Sequence, residues 1–400
     1  MENKRMVMIP GPTPVVKSIQ DQMGREVQAF GDPRFVADYK EVIKDLGESV
    51  NCSGQVFCIA GTGTLAMEMA VANVTKAGDD VLLVSHGFFG DRFIEICEKK
   101  DRKLEILQAQ WGKIIPVAEI EAKLAEKSYA ALIVSHVDTA TGVKAPIEEL
   151  GQIIKQYPQT MFIVDGVAAT LGEYTDFDGM NIDILFTGSQ KAFGVSPGLL
   201  MLWASQRAMT RRDELGNIPE YYIDFKKWLP IMQDPAKYFA TPAINLIWAL
   251  QESLRIAKAE GYQGRYERHL KNARAMQKAL EELGFTLLAE AGHRAVTLSN
   301  LIYPAGIDDA KFRATLMEEG MIVAGGLAAY AGKMFRIGHM GNIDINDEVA
   351  ALGVIERALY RTAGIDKLGV GVAAYMREML KSEEKKNSIR ADIYMVQRTV

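Results

Sequence analysis

Cysteine is scarce in this chain of 400 residues: there are three, Cys52, Cys58 and Cys97. Their spacing matches neither a metal-ligand pattern nor an even disulfide framework, so a reducing compartment and no metal are expected. Long apolar runs are missing as well. No stretch approaches the roughly 20 apolar residues of a membrane span. Residues 1–15, MENKRMVMIPGPTPV, lack the apolar core of a signal peptide. The closing Gln397–Val400 is not a peroxisomal address of the Ser-Lys-Leu kind. A cytoplasmic protein is the expectation. Neither sign of charge dominates: Lys and Arg number 46 against 51 Asp and Glu, a net −5. So mild a balance gives no reason to expect nucleic acid or an anionic membrane as partner. Internal repeats and low-complexity segments are absent too.

What the chain does have is ample apolar sequence for two domains. Between residues 55 and 203, short apolar runs alternate with amphipathic stretches. The runs are Gln55–Ala60, Asp80–Val84, 104–109, 130–135, Met161–Asp165 and 181–188. Strand, helix, strand in repetition predicts an α/β fold with a mainly parallel sheet covered on both faces. The run at 199–203 reads as a strand returning antiparallel at the sheet edge. Residues 221–241 are aromatic and without a regular period. After Gly284, short strands alternate with one helix, which predicts a smaller α+β domain. The divisions are 1–17 as an N-terminal segment, 18–260 as the large domain and 261–400 as the small one. The tail beyond Lys381 reads as solvated.

Two strand ends carry chemistry. The run MFIVD stops at Asp165, and a second run stops at Ser189-Gln190-Lys191. In an open α/β sheet, ligands sit outside the carboxyl ends of the strands, so both residues would face one crevice. A lysine amine forms a Schiff base with an aldehyde, and pyridoxal phosphate also needs a carboxylate at its ring nitrogen. Taken singly, the acid would be a helix cap and the lysine a surface charge. As a pair in this order they suggest that cofactor. Gln55–Ala60 followed by Gly61-Thr62-Gly63-Thr64 and a helical pattern forms an anion site, with N–H groups and the helix dipole favouring negative charge.

VDGVAATLG followed by FTGSQKAFGVSPG resembles the core of the class V aminotransferases, fold type I of the pyridoxal phosphate enzymes. Within them it is most similar to the alanine–glyoxylate and serine–pyruvate group. The similarity runs from Pro10-Gly11-Pro12 to Arg336-Ile337-Gly338. It implies a large domain built on a seven-stranded sheet, plus a smaller C-terminal domain. It implies a catalytic Lys191, and cofactor contacts from Thr62, Gly63, Thr64, Phe89, Thr139, Asp165 and Gln190. Phe89 would stack on the ring, with Phe88 competing for that role. Tyr238 and Thr241 match a segment that reaches the neighbouring subunit's cofactor phosphate in the family, which implies a homodimer with shared active sites. Arg336 would bind a substrate carboxylate through its planar fork. Gly11 would pass close to the substrate. Phe30 stands where relatives carry His or Gln, a departure that leaves the substrate open.

The expected reaction moves an amino group from a small L-amino acid, alanine or serine, to a small 2-oxo acid such as glyoxylate or pyruvate. The alternatives are a lyase on the same scaffold, a transaminase of an unusual amine of the aminoethylphosphonate or ureidoglycine type, and a non-catalytic scaffold. A cysteine desulfurase would need a cysteine beyond Cys97. A nicotinamide dehydrogenase would need a third spaced glycine after Gly63.

Overall fold

The computed structural model describes residues 5–381. The solvated tail expected beyond Lys381 lies outside the described residues. The large sheet contains β1 (Gln55–Ala60), β2 (Asp80–Ser85), β3 (Lys103–Gln108), β4 (Ala131–Ser135), β5 (Met161–Asp165), β6 (Ile184–Gly188) and β7 (Leu199–Ala204). Their order is β1-β7-β6-β5-β4-β2-β3, and only β7 runs antiparallel to its neighbours. From β4 to β7 every residue is buried. Helices therefore cover both faces, as a parallel sheet requires. The edge strand β3 differs: Lys103 and Glu105 put charge on it, and half its residues meet solvent. Such charge blunts an edge against stray pairing.

The position of β7 corrects an expectation. It is antiparallel but not at the edge. Leu199 to Ala204 pair with β1 on one side, and Leu200 to Ala204 pair with β6 on the other. The unbroken apolar run LLMLWA is the signature of a strand buried on both faces, and the edge goes to the more polar-ended β1. A second correction falls in the aromatic stretch, where Phe225–Gln233 is a helix. Asp224 starts it by accepting from Lys226 N at 2.8 Å.

The second sheet contains β8 (Thr286–Leu287), β9 (Leu298–Ile302), β10 (Ala324–Gly325) and β11 (Met334–Gly338), in the order β8-β9-β11-β10, all antiparallel. It carries its own apolar core, with Phe285, Phe312, Phe335 and Leu352 at its centre. The larger core runs from Ile19 to Ala257, takes in Ala295, Leu298 and Met340 as well, and includes Trp203 and Trp248. The N-terminal segment ties the two together. Met6 and Val7 pair in parallel with Met321 and Ile322, Met8 enters the smaller core, and Thr13 N donates to Gln190 O at 3.0 Å. Among the described residues no helix is long and apolar enough to cross a membrane.

Candidate active site

Parallel pairing brings strand ends together. Ser135 is paired with Asp165, and Asp165 with Phe186, so β4, β5 and β6 all end at one rim of the sheet. β1, which runs in the same sense, delivers Gly61 and Thr62 to that rim. Thr62 Oγ1 accepts from Leu65 N at 3.3 Å and caps the helix Gly63–Val74. A cap of this kind is worth about 1 kcal/mol. The remaining first-turn N–H groups and the positive helix end are left facing whatever binds there. Gly63 is held to glycine by contact: a methyl on it would come within 2.9 Å of Val167 Cγ2.

Asp165 is the last residue of β5 and is buried. Its Oδ1 accepts from Val167 N at 2.9 Å, and its Oδ2 lies 3.5 Å from Ser135 Oγ. Burial pushes its carboxyl up to about 6; the Val167 N–H and Lys191 oppose this, and Asp138 adds to it. Lys191 follows β6 and is buried as well. Its Nζ donates to Pro10 O, and Thr13 Oγ1 donates to its carbonyl at 2.8 Å. Burial pulls its ammonium down to about 8, the positive Arg336 adds to this, and Asp165 works the other way. Gly11 lies against the lysine at φ +98°, and a methyl there would stand 2.6 Å from Lys191 Cδ and 2.9 Å from its Nζ. Both the backbone angle and the contact require glycine.

Phe89 is fixed from below by Asp138. That buried carboxylate accepts from Phe89 N at 2.9 Å, Gly90 N at 3.2 Å and Ala140 N at 2.8 Å. Those three bonds shape the turn that presents Phe89. A cavity of about 330 Å³ lies among these parts. Gly11, Thr62, Gly63, Thr64, Phe89, Thr139, Asp165, Gln190 and Lys191 all line it. Gln190 Oε1 is buried there without a hydrogen-bond partner. A larger hollow, about 490 Å³ between Gln22, Glu41 and Trp248, is bordered by surface charges and gathers none of these groups.

Four predicted residues lie outside the cavity wall. Arg336, in β11, is half-buried beside it. Its Nε donates to Gly325 O at 2.8 Å and its Nη1 to Thr139 O at 3.2 Å. Those two carbonyls set the plane of the guanidinium, and its charge is close enough to depress the Lys191 ammonium. Phe30, Tyr238 and Thr241 form a separate group. The Phe30 and Tyr238 rings are 5.1 Å apart, and Tyr238 Oη is 3.4 Å from Thr241 Oγ1. Tyr238 is 62% exposed, so this group faces outward in the single chain. Sequence reasoning missed Arg92, Val167 and Pro197, which also line the cavity. Arg92 is legible in the sequence only as a position three residues after Phe89. The structure starts the helix Phe88–Glu98 there.

The aminotransferase class-V family profile matches residues 15–350. An uncharacterized aminotransferase of Methanocaldococcus jannaschii is 34% identical over 94% of this chain and 98% of its own length. The serine–glyoxylate aminotransferase of Hyphomicrobium methylovorum is 30% identical over 95% of each. The crystal structure of an alanine–glyoxylate aminotransferase from Nostoc superposes with a TM-score of 0.86 at 29% identity, covering 89% of this chain and 95% of that one.

Proposed function

The chain belongs to the class-V aminotransferases, and from that premise we propose that it moves an amino group from a small L-amino acid, alanine or serine, to glyoxylate or pyruvate with pyridoxal 5'-phosphate in the cavity around Lys191. The convergence of Asp165 and Lys191 on one wall carries this reading. The cavity suits the cofactor. It offers an acid for a ring nitrogen, an amine for an aldehyde, an aromatic face at Phe89, a helix N-terminus for a phosphate, and the orphaned Gln190 Oε1 for a donor group. When bound, pyridoxal phosphate supplies an aldehyde carbon and a ring that draws electrons from the substrate's Cα.

The protein's own share follows from the geometry. A Lys191 ammonium depressed to about 8 loses its proton readily near neutrality. Its Nζ then serves first as nucleophile and later as the base that takes the proton from substrate Cα and hands it on. Asp165 keeps negative charge opposite a protonated ring nitrogen. Arg336, already levelled by Gly325 O and Thr139 O, offers its outer edge to the substrate carboxylate. The exposed Tyr238 and Thr241 fit a homodimer in which this segment completes a neighbouring site. The free cysteines, Cys58 and Cys97 buried among them, fit a reducing cytoplasm.

The test is a spectral half-reaction panel. Protein loaded with pyridoxal phosphate meets alanine, serine, glycine, aspartate, glutamate and aminoethylphosphonate singly, then glyoxylate or pyruvate. Alanine or serine should discharge the cofactor's absorption band, and an oxo acid should restore it. Lys191→Ala should lack the band. A band that persists in Lys191→Ala, or one that no donor discharges, would overturn the proposal.

A further inference from the structure

Among the described residues three charged side chains line the cavity: Arg92, Asp165 and Lys191. On the reading above, the acid faces a ring nitrogen and the lysine an aldehyde, so both are committed to other groups of the ligand. The remaining group is a phosphate, with up to two negative charges. The N-terminus of Gly63–Val74 and the Thr62 and Thr64 hydroxyls offer dipoles there but no full positive charge. Arg92 remains.

Its placement matches that need. Arg92 stands on the first turns of the helix Phe88–Glu98, and its Nη1 donates to Thr64 Oγ1 at 3.0 Å. A hydroxyl oxygen that accepts from a guanidinium is free to turn its own hydrogen outward to an anion. The same guanidinium lies 4.9 Å over the Phe89 ring. Contact with an aromatic face holds an arginine plane in place. Arg92 is thus fixed by two residues of the cavity wall, one at the helix N-terminus and one at the aromatic face.

We infer that Arg92 is the cationic member of the phosphate seat, reaching the cofactor phosphate both directly and through the Thr64 hydroxyl. This rests on the proposed cofactor. Its signature is selectivity for the phosphate rather than affinity for the ring. A charge-assisted hydrogen bond is worth enough to change affinity by about 10- to 100-fold.

The experiment compares pyridoxal phosphate with pyridoxal, which keeps ring and aldehyde but lacks the phosphate. Dissociation constants are read from cofactor absorbance and from quenching of protein fluorescence, without turnover. In Arg92→Gln, affinity for pyridoxal phosphate should fall about 10- to 100-fold, affinity for pyridoxal should change less than about threefold, and Arg92→Lys should recover part of the loss. Equal losses for both ligands would show that Arg92 acts only by steadying Phe89, and unchanged discrimination would remove it from the seat; either overturns the inference. Far-ultraviolet circular dichroism and thermal unfolding confirm that each variant is folded, and Arg92→Lys carries the test if Arg92→Gln is not. Wild-type protein that binds neither ligand would instead sink the cofactor proposal, so the two failures are distinguishable.

Discussion

At the scale of single residues, Asp165 and Lys191 work against the fold that holds them. Burial raises the folded Asp165 carboxyl to about 6, above the ~3.9 of an exposed aspartate. The folded state therefore holds this proton more tightly, and stability is lost as pH rises from about 4 through about 6. Burial lowers the folded Lys191 ammonium to about 8, below the ~10.4 of an exposed lysine. Stability is therefore lost as pH falls from about 10 through about 8. Both penalties act together between about 6 and 8. Urea unfolding of the cofactor-free protein should show Lys191→Met more stable than wild type by on the order of 2 kcal/mol at pH 7, with the advantage fading between about pH 8 and pH 10. A difference that stayed constant across that range would mean that packing, not charge burial, sets it. Strain of this kind is what a reactive lysine requires: a fully solvated one would stay protonated and inert.

Among the elements, the long stretch after Gly216 shows what patterning hides. Its helix Phe225–Gln233 is short, carries Pro230, and is anchored by a buried ion pair. Arg212 Nε and Nη2 meet the two Asp224 oxygens at 2.9 and 2.8 Å, and the same Asp224 caps the helix. Asp224→Ala removes the cap and strands a buried guanidinium. We expect a loss of about 3–5 kcal/mol in unfolding free energy. A loss under about 1 kcal/mol by chemical denaturation would show that the pair is no better than a surface one. Arg212 belongs to the helix Gln206–Glu214 and Asp224 opens the next one, 12 residues on, and no local pattern pairs the two. The pair is therefore invisible until the chain is folded. Likewise, whether β7 is an edge strand depends on what pairs with its second side, which no local run of residues specifies.

For the molecule as a whole, the site is assembled from parts far apart in sequence. Arg265 is buried between the two cores. It donates to Ala192 O, next to Lys191, at 2.8 Å, and to Asn342 Oδ1 at 3.2 Å, while pairing with Glu260 at 3.0 Å. The N-terminal segment makes a second link through Pro10 and Thr13. Tyr221, Tyr222 and Tyr238 are exposed on the single chain; the first two rings meet Phe239 and the third meets Phe30. If Tyr238 and Thr241 complete a second copy's site, two inactive variants should rescue each other. Lys191→Ala mixed with Tyr238→Ala plus Thr241→Ala, unfolded together and refolded, should recover about a quarter of wild-type activity, the share of intact sites in randomly paired symmetric dimers. No recovery in a mixture that sediments as a dimer would place each site within one chain.

Features whose information is local are legible in the order of residues. Strands ending at Asp165 and before Lys191, a Gly-Thr turn opening a helix after Ala60, and each step of the βα alternation are each spelled out within a few consecutive residues. Backbone hydrogen bonding then leaves little choice about what they form. Tertiary structure alone decided what depends on pairing and enclosure. It made β7 interior, turned Arg92 toward the Thr64 hydroxyl, and levelled Arg336 against two carbonyls from other elements. It also buried Lys191 and Asp165 deeply enough to move their protons. Desolvation and close contact are properties of a packed surrounding, and no neighbouring residue in the sequence carries them.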